Sequence, residues 1–187
     1  MLDNIVAHSI RVCQVATLLT ESLNANGHDL DGNLIRAAAL LHDITKTRSL
    51  GTSENHARSG ADYLRELGYP EVGDIVGQHV NLADFHSERE PTAAEVVNYA
   101  DKRVLHDQIV SLEERMAYIK ERYGCSEGEL GSRVDRMCHE VGAVEFKLLK
   151  SIPFSAAELA DHLDPVDFYN GLDRYREVSP DHTNSVI

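Results

Sequence analysis

Residues 33–44 read NLIRAAALLHDI. Apolar side chains cover almost the whole circumference of a helix drawn through this stretch, which predicts a buried central helix. It ends in two polar residues, His42 and Asp43. Unpaired polar groups at the end of a buried helix cost a few kcal/mol, so they are either hydrogen-bonded or bound to a metal. Adjacent helix side chains point about 100° apart. His42 and Asp43 can therefore face one ion only at a helix end, where the second side chain folds across.

Helical periodicity continues on both sides. Residues 3–25 place Ile5, His8, Val12, Val15, Leu19 and Leu23 at steps of three and four. Asp3 is the expected N-cap and Asn24–Gly27 the stop. TRSLGTS (47–53) reads as a loop. Residues 54–67 return to helical spacing with Ala57, Ala61, Leu64 and Leu67, and Gly68 ends them. Tyr69-Pro70 opens a short helix, EVGDIVGQHV (71–80), before a loop, NLADFHSEREP (81–91). Four capping boxes follow: Thr92…Glu95, Ser111…Glu114, Ser126…Glu129 and Ser155…Glu158. SLEERMAYIKERYG (111–124) reads as a solvated helix face. No period-2 strand stands out, so the predicted fold is an all-α bundle.

The chain has 187 residues, with 18 Lys plus Arg against 31 Asp plus Glu, a net charge of −13. The length suits one domain. The charge argues against a nucleic-acid polymer or an anionic membrane as partner, but not against a small phosphorylated ligand. Cys13, Cys125 and Cys138 form no CxxC. Together with an N-terminus lacking a signal-peptide pattern, they lead us to expect a reducing, cytoplasmic setting. Ten histidines are the unusual feature. His8 is in phase with Val12 and Val15, and Asp101 interrupts AEVVNYADKRVL (94–105) in phase with Val97, Val104 and Leu105. His8, His56, His79 and Asp101 join His42-Asp43 as candidate metal ligands. Imidazole with carboxylate suits Fe, Mn, Co, Ni or Zn. His28, His106, His139, His162 and His182 read as surface residues.

The order His8…His42-Asp43…Asp101 resembles the HD superfamily of metal-dependent phosphohydrolases. AAALLHDITK (37–46) is similar to the HDIG form of the motif, with Thr45 in place of Gly. NHARSGADYLRELG (55–68), IVGQHV (75–80) and VNYADKRV (97–104) are similar to the later segments of the two-metal branches, including bacterial dinucleoside-tetraphosphate hydrolases. The resemblance implies an HD-domain helical bundle over residues 1–110, C-terminal helices packed on it over 111–163, and an acidic polar tail over 164–187. It implies one or two divalent transition ions. His8, His42, Asp43 and Asp101 would hold the first, and His56 and His79 a second bridged by Asp43. Val80 stands where some two-metal relatives have a paired histidine, and a GYP after the histidines is missing, which argues against cyclic dinucleotides. Water, a substrate phosphate or His86 would complete the second set.

The implied activity is cleavage of a phosphoester or phosphoanhydride of a nucleotide-like small molecule by a metal-bound hydroxide, with Asp43 and Lys46 catalytic. Lys46, Arg58, Lys102 and Arg103 are the expected phosphate contacts. The other reading is a metal-containing, nucleotide-sensing module without turnover. The C-terminal residues are then a candidate interface for a partner or a second copy of the chain.

Overall fold

The computed structural model describes residues 1–52, 54–123 and 129–178. Helices α1 (Asp3–Ala25), α2 (Gly32–Leu41), α3 (Lys46–Ser49), α4 (His56–Glu66), α5 (Pro70–Val76) and α6 (Ala93–Lys102) precede a minimal hairpin. That hairpin pairs β1 (Val104–Leu105) antiparallel with β2 (Gln108–Ile109). After it come α7 (Leu112–Tyr123), α8 (Glu129–Leu149), a 3-10 turn over Ala156–His162, and α9 (Pro165–Val178). The architecture is all-α, as the periodicity predicts.

The core lies where α1, α2 and α6 meet. Val12, Val15, Ala16, Leu19, Ile35, Ala38, Ala39, Val96, Val97 and Ala100 are fully buried there. The central helix differs from its sequence reading in two ways. Leu40 is 41% exposed, so α2 is covered on one side rather than all round. It also stops at Leu41. The His42 ring donates from Nδ1 to the Ala39 carbonyl at 2.7 Å, the acceptor that the Asp43 amide would need for another helical residue. α5 ends the same way: the His79 ring donates to the Val76 carbonyl at 2.7 Å. Each buried histidine thus closes its own helix and is fixed by doing so.

α4 and α5 pack very closely. A β-carbon on Gly73 would lie 2.8 Å from the Ala61 carbonyl oxygen, so only glycine fits. α8 is tied to α6 by Lys147, which donates to Glu95 at 2.8 Å and to the His86 carbonyl at 2.9 Å. Capping boxes form at Thr92 and Ser155, and Ser111 exchanges hydrogen bonds with Glu114. The one at Ser126, with Cys125, lies outside the described residues.

Four expectations need correction. Leu2, not Asp3, is the N-cap of α1. Part of the expected 47–53 loop is helix α3. The 111–124 stretch is not wholly solvated, because Met116 is buried in the core. The expected tail from residue 164 is helix through Val178, with Phe168 buried. Residues 179–187, with His182, lie outside the described residues. Among the described residues no helix is long and apolar enough to cross a membrane.

Candidate metal centre

Six residues expected as ligands converge at one end of the α1–α2–α6 core. His8 comes from the first turns of α1, and His42 and Asp43 from the turn closing α2. Asp101 comes from the last turn of α6. Ligand atoms of His8, His42 and Asp43 lie within 4.8 Å of one another. His8 Nε2 is 3.0 Å from Asp101 Oδ1, and His42 Nε2 is 3.8 Å from the same oxygen. On the other side, Asp43 Oδ1 is 3.3 Å from His56 Nε2 and 3.6 Å from His79 Nε2. Asp43 therefore belongs to both groups.

The tautomers follow from the backbone. A carbonyl only accepts, so a ring nitrogen facing one carries the proton. His8 Nδ1 faces the His106 carbonyl at 2.8 Å, and His42 and His79 use Nδ1 in the same way. In the neutral rings each Nε2 is then a lone pair turned into the cluster. Among the described residues, His42 Nε2 is buried without a hydrogen-bond partner. His8 Nε2 confronts a carboxylate oxygen at 3.0 Å. His79 Nε2 sits 3.1 Å from His56 Nε2. Acceptors crowded this closely call for a cation among them, and metal-binding histidines are oriented by such outer hydrogen bonds. The donor set fits a divalent metal.

The electrostatics agree. Burial holds the His42 imidazole down to about 4, and burial with the nearby Lys46 ammonium does the same for His56. Both rings are neutral at neutral pH. Burial alone would raise the Asp43 carboxyl, but His42, Lys46 and His79 outweigh it and keep it ionised. Burial would raise the Asp101 carboxyl as well, but the adjacent Lys102 ammonium is the main group that holds it well below the usual range.

The basic residues divide sharply. Lys46 Nζ lies 3.3 Å from both Asp43 Oδ1 and His56 Nε2, with a third of its side chain exposed. Arg58 is exposed on α4. Lys102 and Arg103 are not available to a substrate. Lys102 is buried and donates to the His79 carbonyl at 2.6 Å and to Asp101 at 2.9 Å. Arg103 is buried and donates to Tyr99 Oη and to the carbonyls of Val110 and Ala156. Position in sequence beside Asp101 thus makes them scaffold. His86 is exposed and pairs with Asp84, while its carbonyl is held by Lys147. It makes no contact with the cluster among the described residues.

The sequence reading missed two contributors. Thr45 is buried, its hydroxyl donating to the His56 carbonyl at 2.8 Å and meeting Ser59 Oγ at 3.0 Å. Arg115 on α7 brings Nη2 to 3.9 Å from Asp101 Oδ1. Thr45 was visible only as a departure from the motif, and Arg115 was hidden among the mixed charges of residues 111–124.

Comparison with known proteins adds the following. The HD domain family matches residues 5–112, more than half of the chain. An uncharacterized protein of Methanocaldococcus jannaschii is 38% identical over 76 residues, covering 41% of this chain and 44% of that protein. Ribonuclease Y of Pseudothermotoga lettingae is 34% identical over 95 residues, covering 51% of this chain and 17% of the enzyme. Ribonuclease Y of Aquifex aeolicus is 36% identical over 89 residues, covering 48% and 14%. The chain thus spans less than half the length of these relatives. No solved structure gives a significant match.

Proposed function

From the premise that the chain belongs to the HD domain family, whose members are typically metal-dependent hydrolases, we propose that it hydrolyses a phosphoester or phosphoanhydride of a nucleotide-like small molecule. The observation that carries this reading is the pair of histidine–aspartate groups sharing Asp43, with Nε2 lone pairs turned into the cluster and, among the described residues, no hydrogen-bond donor for His42 Nε2. His8, His42, Asp43 and Asp101 would hold one ion, and His56 and His79 with Asp43 a second. A bound divalent ion supplies Lewis acidity, making a water more acidic and offsetting phosphoryl charge. The protein's own groups do the rest. The carbonyls of His106, Ala39 and Val76 hold three imidazoles in the ligating tautomer. Lys46 presents an ammonium where a phosphoryl or leaving-group oxygen would meet Asp43 and His56.

The test is elemental analysis of the purified chain together with a nucleotide and phosphoester panel. We expect at least one transition ion per chain, turnover of a small phosphate, and its loss in His42→Ala and Asp43→Ala with helicity retained. A chain inactive on the whole panel after reconstitution with Fe, Mn, Co and Ni sinks the proposal, and tight nucleotide binding without turnover would replace it with the sensing module.

A second reading has its own support. Relatives named Ribonuclease Y match about half of the chain, which works against the exclusion of nucleic acid drawn from charge. A net charge of −13 disfavours a long polyanion. Oligoribonucleotides therefore belong in the same panel, and turnover confined to them would favour this reading.

A further inference from the structure

Arg115 stands apart from the other cations around the centre. Its side chain is 16% exposed, yet its Nε is buried with no hydrogen-bond partner among the described residues. Its nearest charge, Asp101 Oδ1, is 3.9 Å from Nη2, beyond hydrogen-bond reach. That carboxylate already accepts from Lys102 through Oδ2 at 2.9 Å, and its Oδ1 faces the His8 Nε2 lone pair at 3.0 Å. The other close group is the Tyr118 ring, 5.9 Å from the guanidinium carbon. Among the described residues the side chain makes no hydrogen bond. A guanidinium carries five donors in a planar fork suited to two oxygens of a phosphate, and here the buried Nε–H goes unmet among the described residues, which is costly. Lys102 and Arg103, which sequence position would favour, have every reason to stay where they are. Lys46 stands at the Asp43–His56 end of the cluster, and Arg115 stands at the Asp101 end.

We propose that Arg115, delivered by α7 from beyond the matched HD segment, is a phosphate-binding residue that takes two oxygens of the substrate's phosphoryl group at the Asp101 end of the centre. This rests on the phosphohydrolase reading for the identity of the ligand. It makes the C-terminal part of the chain a contributor to the site. The −13 background of the molecule makes a dedicated cation there all the more necessary for an anionic substrate.

The experiment is calorimetric titration of the metal-loaded protein with inorganic phosphate, paired with metal content per chain, for wild type, Arg115→Ala and Arg115→Lys. We expect Arg115→Ala to weaken phosphate binding at least about tenfold, the usual scale of a charge-assisted pair, with metal content unchanged and part of the affinity recovered in Arg115→Lys. Unchanged phosphate affinity overturns the proposal. So does metal loss in step with affinity, which would make Arg115 a support for Asp101 instead. If Arg115→Ala does not fold, Arg115→Lys and Arg115→Gln carry the same comparison, with Gln as the weaker binder. Wild type that binds phosphate through Arg115 but hydrolyses nothing leaves this inference standing and removes the phosphohydrolase reading.

Discussion

His8, His42 and Asp101 reach the centre from α1, α2 and α6, whose facing sides are fully buried, and both histidines are fixed by backbone carbonyls. His56 and His79 arrive on α4 and the seven-residue α5. The His56 side chain is 21% exposed, and no carbonyl pins its ring among the described residues. One side is set by the core itself; on the other, His79 is fixed by the Val76 carbonyl, but His56 rests on a close helix pair and a threonine. The first set should hold its metal as a preformed site, and the second should respond more to pH, substitution and ligand.

The largest effect should come from the residue both sides share. Asp43→Asn keeps the volume but removes the carboxylate, and we expect loss of both ions. Each would be weakened by more than the roughly 10–100-fold that outer partners of a metal site are worth, as elemental analysis would show. Separate substitutions sharpen the contrast: His42→Ala should empty the first position, while His56→Ala should lower metal content by about one ion and leave the first occupied. Equal losses in the two variants would mean that the halves are not independent.

Acidity probes the same difference in the metal-free protein. The unfolded histidines protonate near 6.5, whereas folded His42 and His56 resist protonation until about 4. Between those values the unfolded chain binds more protons, so stability falls as pH is lowered through the window. The His42 contribution alone is on the order of 3 kcal/mol by the lower end. Denaturant midpoints of the metal-free chain at pH 7 and 4.5 measure it, and His42→Gln should flatten the dependence more than His56→Gln. A gentler disturbance is Gly73→Ala. Its β-carbon would meet the Ala61 carbonyl at 2.8 Å, forcing α4 and α5 apart at about 1–3 kcal/mol. Metal loss should then be confined to the His56–His79 side. Smallest of all, Thr45→Val removes the hydroxyl that holds the His56 carbonyl, costing about 1 kcal/mol, and should weaken the second ion only.

Residues on periodic stripes were legible in advance. His8 and Asp101 betray themselves as polar interruptions of apolar phases, and His42-Asp43 as a polar end to a buried helix. What escaped has no periodic signature. Lys102 and Arg103 look like free cations until the carbonyls of His79, Val110 and Ala156 are seen to claim them. The β1–β2 hairpin has two residues a side, too few to show alternation. α9 hides in an acidic, polar stretch of sequence, although Phe168 is buried and Gly171 packs against Ile10.

Phe168 links α9 to the first helix. The Arg11 guanidinium carbon lies over the Phe168 ring, 3.8 Å from its centre, and Arg11 Nε donates to the Asp107 carbonyl at 2.9 Å. The neighbouring His106 carbonyl is the one that sets the His8 tautomer. A stacked arginine, a hairpin tip and an imidazole thus form one unbroken line of contacts from α9 to the candidate metal centre, like stones of an arch.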